Sequence, residues 1–493
     1  MKFAKTFFKE IRKILPGFLF VVPFLVTAEC NTINDNNEPF PEISSKQEYH
    51  DDILSSEKRI IAHHMTKNNP YYFKRWYDLS RYGPDKPPRQ QHPIYAYYHK
   101  NSRSLEEYIQ WEIKAAKKMG LDGFEMFYPH NSSTLHTDMV NYDKIIMAYL
   151  RVIEENDLDF KITLGLSHPK EHRSIDQLAE EISGRVQKYF DAVPDAKAWL
   201  KTPDGRYLWH SFGLESIFRY MDKPFYTENV EESYALVSEL IKKIEKNLDI
   251  QIAFVYHLRP VVTMKRHASR LNIDPKTYYR QNIHAIYDHF AGISGFADIV
   301  YDESIEYWQE IKRISQARDK SFFQSVFLDF ARGDEVIRYL PSKGSWHVQK
   351  LFEQAIDWDC DVIRLITWSD YPEGHHLQPG VNHNFGFGVL LNYYKNIWKG
   401  HPEKNNEDIG IVFTKKYDYR INPSKHVSEV TYFDHIIPGE IYQAYLSEEQ
   451  NMNIVTLLTA PGVLYVNGTH VGEVDEGISS KYLPIEPGPV QIR

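Results

Sequence analysis

Two carboxylates stand close together in the stretch Asp361 to His376, and their surroundings suit carbohydrate chemistry. Asp370 and Glu373 are three residues apart, and Pro372 and Gly374 indicate a loop around them. Four aromatic or imidazole side chains flank the pair: Trp368, Tyr371, His375 and His376. Glycosidic bond cleavage uses one acid to protonate the leaving oxygen and a second carboxylate as base or nucleophile, while flat rings stack on sugars. The pattern therefore suggests a catalytic pair, although acidic residues are also common in ordinary loops.

The elements that would position this pair form a repeating pattern. Val362 to Thr367, just before the pair, is apolar and β-branched, as is typical of a strand buried on both faces. Such runs alternate with amphipathic helical stretches such as Ser104–Met119, whose cap is Ser104. Eight strands are predicted: Arg59–His63, Gly123–Phe127, Phe160–Gly165, Tyr207–His210, Gln251–Val255, Ala297–Val300, Ser321–Val326 and Val362–Thr367. The repeats predict an α/β fold, a (β/α)8 TIM-like barrel over residues 59–400.

Most of the predicted strands end in side chains that can bind sugars. The active site of a (β/α)8 barrel lies at the carboxyl ends of its strands, so these side chains should converge on one cleft around Asp370. Neutral His and Tyr hydrogen-bond to hydroxyl groups, and Trp stacks on sugar rings. The candidate substrate-binding residues are His63, His64, Tyr128, Trp209, His210, Tyr256, His257, Asp302, Trp368, Tyr371 and His375.

A metal site is the rival interpretation of these histidines, since paired histidines on the first strand are ligands in barrel hydrolases of the amidohydrolase kind. Here His63 and His64 are adjacent. Two ligands from one strand must share a face and so usually sit two residues apart. We therefore expect no metal and no cofactor, and we expect part of the strand-end set to be structural.

Residues 367–376, Thr-Trp-Ser-Asp-Tyr-Pro-Glu-Gly-His-His, resemble the signature of glycoside hydrolase family 71, the α-1,3-glucanases or mutanases. That signature reads Thr-Trp-Asn-Asp-Tyr-Gly-Glu-Ser-His, and Ile60 to Met65 is similar to the family's opening strand. The resemblance covers most of residues 59–493, but only the signature is specific. It implies that Asp370 is the general base, that Glu373 is the general acid and that the anomeric carbon is inverted. An inverting pair stands about 6.5 to 9.5 Å apart.

The departures from this signature leave the linkage and the sugar open. Ser369 stands where the family has Asn, and Pro372 and Gly374 stand where it has Gly and Ser. The endo-α-mannosidase family carries a similar Trp-Asn-Glu-Trp-His-Glu with two glutamates at the same spacing. This chain is closer to the glucanase version, because it has Asp at the first position, Asp370, followed by Tyr371.

The N-terminus has the pattern of an export signal. A basic segment precedes the apolar stretch Ile14 to Val26, which is short for a membrane span. Cys30 follows in Leu-Val-Thr-Ala-Glu-Cys, which resembles a bacterial lipobox with Glu29 where small residues are usual. We predict a signal peptide over residues 1–30 with Cys30 lipidated, and a flexible tether over residues 31–58. An ordinary cleaved signal and an uncleaved anchor are the alternatives.

Composition narrows the class of partner. The 493-residue chain has a net charge of -9 and no basic cluster beyond its first residues, which argues against nucleic acid. Its aromatic content of 14% suits carbohydrate. Residues 401–493 contain short β-rich runs and no Trp, so we predict a β-sandwich-like domain that caps the barrel rather than binds glycan.

These patterns predict a periplasmic or cell-surface lipoprotein that hydrolyses an α-linked polysaccharide or oligosaccharide, with α-1,3-glucan as the first choice. Its contact with the membrane would be through the lipid anchor alone. An endo-α-mannosidase-like hydrolase is one alternative. The other is a glycan-binding lipoprotein that keeps the barrel without catalysis.

Overall fold

The computed structural model describes residues 58–66, 104–128, 136–167, 174–212, 214, 227–295, 302–327, 330–333, 337–340, 344–370, 376–379, 385–401, 407–414, 429–432, 435–438, 451–484 and 489–493. The predicted signal peptide with Cys30 and the predicted tether up to residue 57 lie outside these ranges. So do three of the predicted site residues, namely Tyr371, Glu373 and His375.

Eight parallel strands close into a barrel, which confirms the predicted (β/α)8 fold. They are β1 (Arg59–His64), β2 (Gly123–Tyr128), β3 (Lys161–Ser167), β4 (Tyr207–Phe212), β5 (Ile252–His257), β6 (Gly292–Ser294), β7 (Ser321–Phe327) and, after a hairpin of β8 (Phe330–Gly333) and β9 (Ile337–Leu340), β10 (Val362–Ile366). Strand β10 closes the barrel by pairing in parallel with β1, where Arg59 stands opposite Val362.

Helices surround the barrel. Those described are α1 (Leu105–Lys118), α2 (His136–Glu155), α3 (Ile175–Ala192), α4 (Val230–Leu248), α5 (Val261–Leu271), α6 (Pro275–His289), α7 (Asp302–Ala317), α8 (Trp346–Asp357) and α9 (Gly386–Trp398). Helix α1 begins as the sequence predicts, because the Ser104 side chain accepts a hydrogen bond from the backbone N–H of Glu107 at 3.2 Å. Within the described ranges, none of these helices combines the length and the apolar character that a membrane span requires.

The sixth barrel strand is not where the sequence placed it. The prediction was Ala297–Val300, whereas the strand that pairs with β5 and β7 is Gly292–Ser294. Three residues with one large apolar side chain carry too little alternation to be recognised as a strand. Asp302, expected at the end of this strand, instead begins helix α7.

Side chains on the barrel strands alternate between the barrel interior and the layer under the helices. The floor of the interior is apolar and consists of Ile61, Leu200, Leu208, Ala253, Val255, Ala291, Phe323 and Val362. Two positions further along five of the strands, on the same face, the side chains become polar: His63, Glu125, His210, His257 and Arg364. A buried polar cluster therefore lies above this floor, toward the carboxyl ends of the strands.

Beyond residue 407 the chain forms small antiparallel sheets. Their strands are β11 (Ile409–Phe413), β12 (Glu429–Tyr432), β13 (His435–Pro438), β14 (Asn451–Leu458), β15 (Gly462–Val466), β16 (Thr469–Val474) and β17 (Gly477–Pro484). Strand β14 is buried on both faces. Met452 and Ile454 contribute to a small apolar core, while Val455 belongs to the main core of the barrel. The sheet that contains β14 is thus packed on the barrel.

Candidate active site

A buried ion pair lies at the centre of the barrel interior. The guanidinium of Arg364 on β10 donates two hydrogen bonds to the carboxylate of Glu125 on β2, at 2.5 Å from Nε and 2.6 Å from Nη2. Arg364 Nη1 also donates to the carbonyl of Gly295 at 3.1 Å. Two charges are costly to bury, and this two-pronged geometry offsets the cost through short, charge-assisted hydrogen bonds.

The charges around Glu125 fix the protonation of the ion pair and of its nearest histidine. Burial alone would raise the pKa of Glu125, but the charge of Arg364 and the hydrogen bond from His63 more than reverse this and hold that pKa well below its usual range. Glu125 is therefore a carboxylate that only accepts hydrogen bonds. Because His63 Nδ1 lies 2.9 Å from Glu125 Oε1, His63 must carry a proton on Nδ1.

Three imidazoles in this interior are held in the neutral state. Burial lowers the pKa of His63 against the charges of Glu125 and Asp370, lowers that of His257 well below its ordinary value, and lowers that of His210 to about 4. His210 has no hydrogen-bond partner on either ring nitrogen among the described residues, and its Nδ1 lies 3.9 Å from Glu125 Oε2. Neutral imidazoles can both donate to and accept from hydroxyl groups, as a sugar site requires.

Asp370 lies just past the end of β10, at the carboxyl end of the barrel. Its residue is 4% exposed, and its backbone N–H donates to Thr367 Oγ1 at 2.7 Å. Its charge opposes the lowering of the pKa of His63, so this predicted catalytic residue lies within electrostatic range of the interior cluster. Glu373 lies outside the described residues, and the separation of the two carboxylates therefore stays a prediction.

Five of the predicted substrate-binding residues do not face the interior. The set is His64, Tyr128, Trp209, Tyr256 and Trp368, and all of them are buried in the layer between barrel and helices. Tyr128, for example, lies under the guanidinium of Arg185 at 4.4 Å, and Tyr256 packs on Tyr234 of α4. This corrects the expected convergence, because alternation along a strand sends neighbouring side chains to opposite faces.

The sequence analysis missed Glu112 on α1. Its carboxylate lies behind the barrel wall and accepts hydrogen bonds from the Trp368 indole at 2.9 Å and from the Gln378 amide at 2.8 Å. A signal was present in the sequence, because Glu112 falls on the helix face formed by Ile109, Ile113 and Ala116, which is otherwise apolar. A charged residue on such a face needs buried partners.

In the part of the chain that the structure describes, no three His, Cys, Asp or Glu residues are arranged to hold a metal ion.

Comparison with known proteins gives only remote similarities. Neither a family model nor a curated protein matches the sequence. Among solved structures, the chain is similar to the GH99 endo-α-mannosidase from Bacteroides thetaiotaomicron, with 12% and 14% identity and TM-scores of 0.48 and 0.47 in two structures. Each match covers 70% of this chain and 98% of the other. An endo-β-1,4-mannanase from Cellulomonas fimi has 9% identity and a TM-score of 0.39, over 88% of this chain and 91% of that one. Similarity this remote carries no argument about function, which must come from the residues.

Proposed function

We propose that this protein is a glycoside hydrolase that cleaves an α-linked polysaccharide, with α-1,3-glucan as the first candidate. The observation that carries the proposal is the position of Asp370. Its carboxylate follows the last barrel strand, at the barrel end where such folds build their active sites, and it acts electrostatically on the buried, neutral His63. The resemblance of residues 367–376 to the family 71 signature supports the same role.

In the proposed mechanism Asp370 and Glu373 act in one step. The Asp370 carboxylate takes a proton from a water molecule while that water's oxygen forms a bond to the anomeric carbon. The bond from that carbon to the leaving oxygen breaks, and the protonated Glu373 gives its proton to this oxygen. Attack from the face opposite the leaving group inverts the anomeric carbon.

The charge of the interior favours an uncharged substrate. The charge of Glu125 is compensated by Arg364, and the imidazoles of His63, His210 and His257 are neutral. Such groups hydrogen-bond to hydroxyls without a preference for an ionised sugar. Residues that remain candidates for direct contact with the glycan are therefore the three interior histidines, together with Tyr371 and His375 near the acids.

The test is reducing-sugar release from α-1,3-glucan, α-1,4-glucan, α-mannan and β-glucans. The chain from Asn31 onward would be compared with Asp370→Asn and Glu373→Gln. Glu306→Gln is the matched control, because this carboxylate on α7 is exposed and pairs with Lys276 at 3.1 Å. We expect release that is lost in the two acid variants and kept in the control. Absence of release from every glycan, with equal glycan binding by all the proteins, would instead indicate the non-catalytic binding protein.

We further propose that residues 1–30 direct export and that Cys30 carries a lipid, which would place the enzyme in the periplasm or on the cell surface. Support comes from the basic and apolar segments and the lipobox-like residues that precede Cys30. Metabolic labelling with a radioactive fatty acid tests this. Label on the wild-type protein that is absent from Cys30→Ser is the expected result, and equal labelling of both would contradict it.

A further inference from the structure

The carboxylate of Glu112 contacts residues on both sides of the segment 369–377, which carries the proposed catalytic pair and which the sequence predicts as a loop. Its residue is 1% exposed. Oε1 accepts from the Trp368 indole at 2.9 Å and from the Gln378 side chain at 2.8 Å, and Oε2 accepts from the hydroxyl of Tyr149 on α2. Trp368 precedes Asp370 in the chain and Gln378 follows Glu373. One buried carboxylate thus contacts a residue on each side of the segment.

Backbone hydrogen bonds close the same loop at its base. The N–H of Gln378 donates to the carbonyl of Trp368 at 2.9 Å, and the N–H of Leu377 donates to the carbonyl of Thr367 at 2.8 Å. Residues 377 and 378 are therefore joined to residues 367 and 368 by backbone hydrogen bonds as well as through Glu112. Glu112 in addition connects these residues to helix α1.

A second set of contacts runs from Glu112 to the residue before Asp370. Because the Tyr149 hydroxyl donates to Glu112, its oxygen accepts from His64 Nε2, 3.0 Å away. His64 Nδ1 is then the acceptor for the hydroxyl of Ser369 at 3.4 Å. Ser369 Oγ in turn accepts from the backbone N–H of Met65 at 3.1 Å. Each donor in this series of hydrogen bonds faces an acceptor, and the series ends at the Glu112 carboxylate.

We propose that Glu112 is a positioning residue for the catalytic loop, which it orients through Trp368 and Gln378 and through the Tyr149–His64–Ser369 chain. The inference rests on the proposed function and deepens it. Glu112 lies behind the barrel wall and has no contact with substrate. The same geometry assigns His64 and Trp368 to loop positioning, in place of the sugar contacts expected from the sequence.

A carboxylate is required at this position because all its partners are donors. In Glu112→Gln one oxygen becomes an NH2 group, which faces either the Trp368 and Gln378 donors or the Tyr149 hydroxyl. Either the Trp368 and Gln378 donors then lose their acceptor, or the direction of donation from Tyr149 through His64 to Ser369 must reverse. Both outcomes weaken the contacts that orient the loop. Misplacement of a catalytic group by about 1 Å reduces the rate by up to about 100-fold.

The experiment compares Glu112→Gln with Glu106→Gln, which removes an exposed carboxylate from the same helix. The full chain is used, with kcat and KM measured on the glycan that the wild type cleaves. Hydrogen–deuterium exchange is followed in peptides covering residues 362–379 and, for reference, β5. We expect kcat to fall about 10- to 100-fold at nearly constant KM in Glu112→Gln. Exchange should rise in residues 362–379 and stay unchanged in β5, and Glu106→Gln should match the wild type.

A second variant keeps the proposal open to refutation if Glu112→Gln fails to fold. Tyr149→Phe removes only the hydroxyl and keeps the ring that packs on Phe124. It should also raise exchange in residues 362–379 and lower kcat, by less than Glu112→Gln. Wild-type kcat and wild-type exchange in these peptides would overturn the proposal, as would an increase in exchange spread equally over the barrel. If the wild type cleaves no glycan, the proposed function fails, while the exchange comparison still tests whether Glu112 holds the loop.

Discussion

At the residue scale, the buried histidines make stability depend on pH in a defined direction. The pKa of His210 is about 4 in the folded chain against an ordinary 6.5, so between these values the unfolded chain binds more protons. The contribution of His210 to stability is therefore complete above the unfolded-chain pKa of 6.5, and it is lost as the pH falls toward the folded-chain pKa of about 4. The lowered pKa of Glu125 acts in the same direction, because its stabilising charge is lost on acidification.

We expect the free energy of unfolding to fall by roughly 3 kcal/mol through His210 between about pH 7 and about pH 4. Urea unfolding across this range measures it. His210→Gln should reduce the pH slope, whereas His470→Gln, at an exposed histidine on β16, should leave the slope unchanged. Equal slopes in wild type and His210→Gln would show that this imidazole is not buried in the neutral state.

The interior ion pair predicts a large cost when only one partner is removed. Glu125→Gln leaves the guanidinium of Arg364 buried without its counter-charge, which costs about 3 to 5 kcal/mol. Glu306→Gln breaks the exposed pair with Lys276, and such pairs contribute at most about 1 kcal/mol. Denaturant unfolding should therefore show a much larger loss of unfolding free energy in Glu125→Gln than in Glu306→Gln. Similar losses in the two variants would argue against a buried ion pair.

Sequence alone could supply part of this site. The predicted strand ends group Asp370 with His63, His210 and His257, and the structure also has all four buried toward the carboxyl ends of the barrel strands. Neighbouring side chains on a strand point to opposite faces. This alternation, applied to the strand ends, would have assigned His64 and Trp209 to the outer layer and not to the barrel interior. The pairing of Glu125 with Arg364 could not be found, because it depends on the closure of the barrel, which brings β2 and β10 to the two sides of β1.

At the element scale, the close approach of the Glu125 side chain to the backbone of β3 explains a glycine on that strand. A Cβ built on Gly165 would lie 2.5 Å from Glu125 Oε1, inside the barrel. The Glu125 carboxylate is held by Arg364 and His63 and has little freedom to move away. Strand β3 can therefore pass this close to the ion pair only with glycine at this position.

Gly165→Ala is expected to destabilise the protein by about 1 to 3 kcal/mol, because it forces the ion pair or the strand to shift. Gly184→Ala is the control, for which we expect a gain in stability instead of a loss. A Cβ on Gly184 of α3 meets nothing within 4 Å, and alanine in a helix interior stabilises by about 0.5 to 1 kcal/mol over glycine. Thermal unfolding distinguishes the two, and a neutral Gly165→Ala would contradict the close approach.

Elements with long apolar alternation were predictable, and short ones were not. Seven barrel strands were located within a few residues, since each carries a run of buried side chains. Strand β6 has three residues and was placed five positions too late. Because of this displacement Asp302 was counted as a strand end, whereas it is the first residue of α7.

At the scale of the whole molecule, the C-terminal sheets share buried surface with the barrel. Asn453 Oδ1 on β14 accepts hydrogen bonds from the backbone N–H of Ser345 at 3.0 Å and from its hydroxyl. Gln349 on α8 donates to Ser480 on β17 at 2.9 Å. These contacts are consistent with the structural cap expected from the sequence.

Asn453→Ala removes the acceptor of a buried backbone N–H, so we expect a loss of about 1 to 3 kcal/mol. The loss should appear in the unfolding of the barrel, because the chain has no Trp beyond residue 400 and its Trp fluorescence reports the barrel. The control is Asn467→Ala, because this residue lies in the turn between β15 and β16, within the C-terminal sheets and away from the contact with Ser345. Barrel unfolding that is insensitive to Asn453→Ala would mean that the sheets do not stabilise the barrel.

The central claim is hydrolysis with inversion by Asp370 and Glu373, and the most direct test is the anomeric form of the first product. Proton NMR would follow the chain as it acts on the α-linked glycan that it cleaves fastest, before mutarotation mixes the anomers. The account predicts that the β-anomer appears first and that neither Asp370→Asn nor Glu373→Gln releases it. First release of the α-anomer, or unchanged release by either variant, would contradict the account.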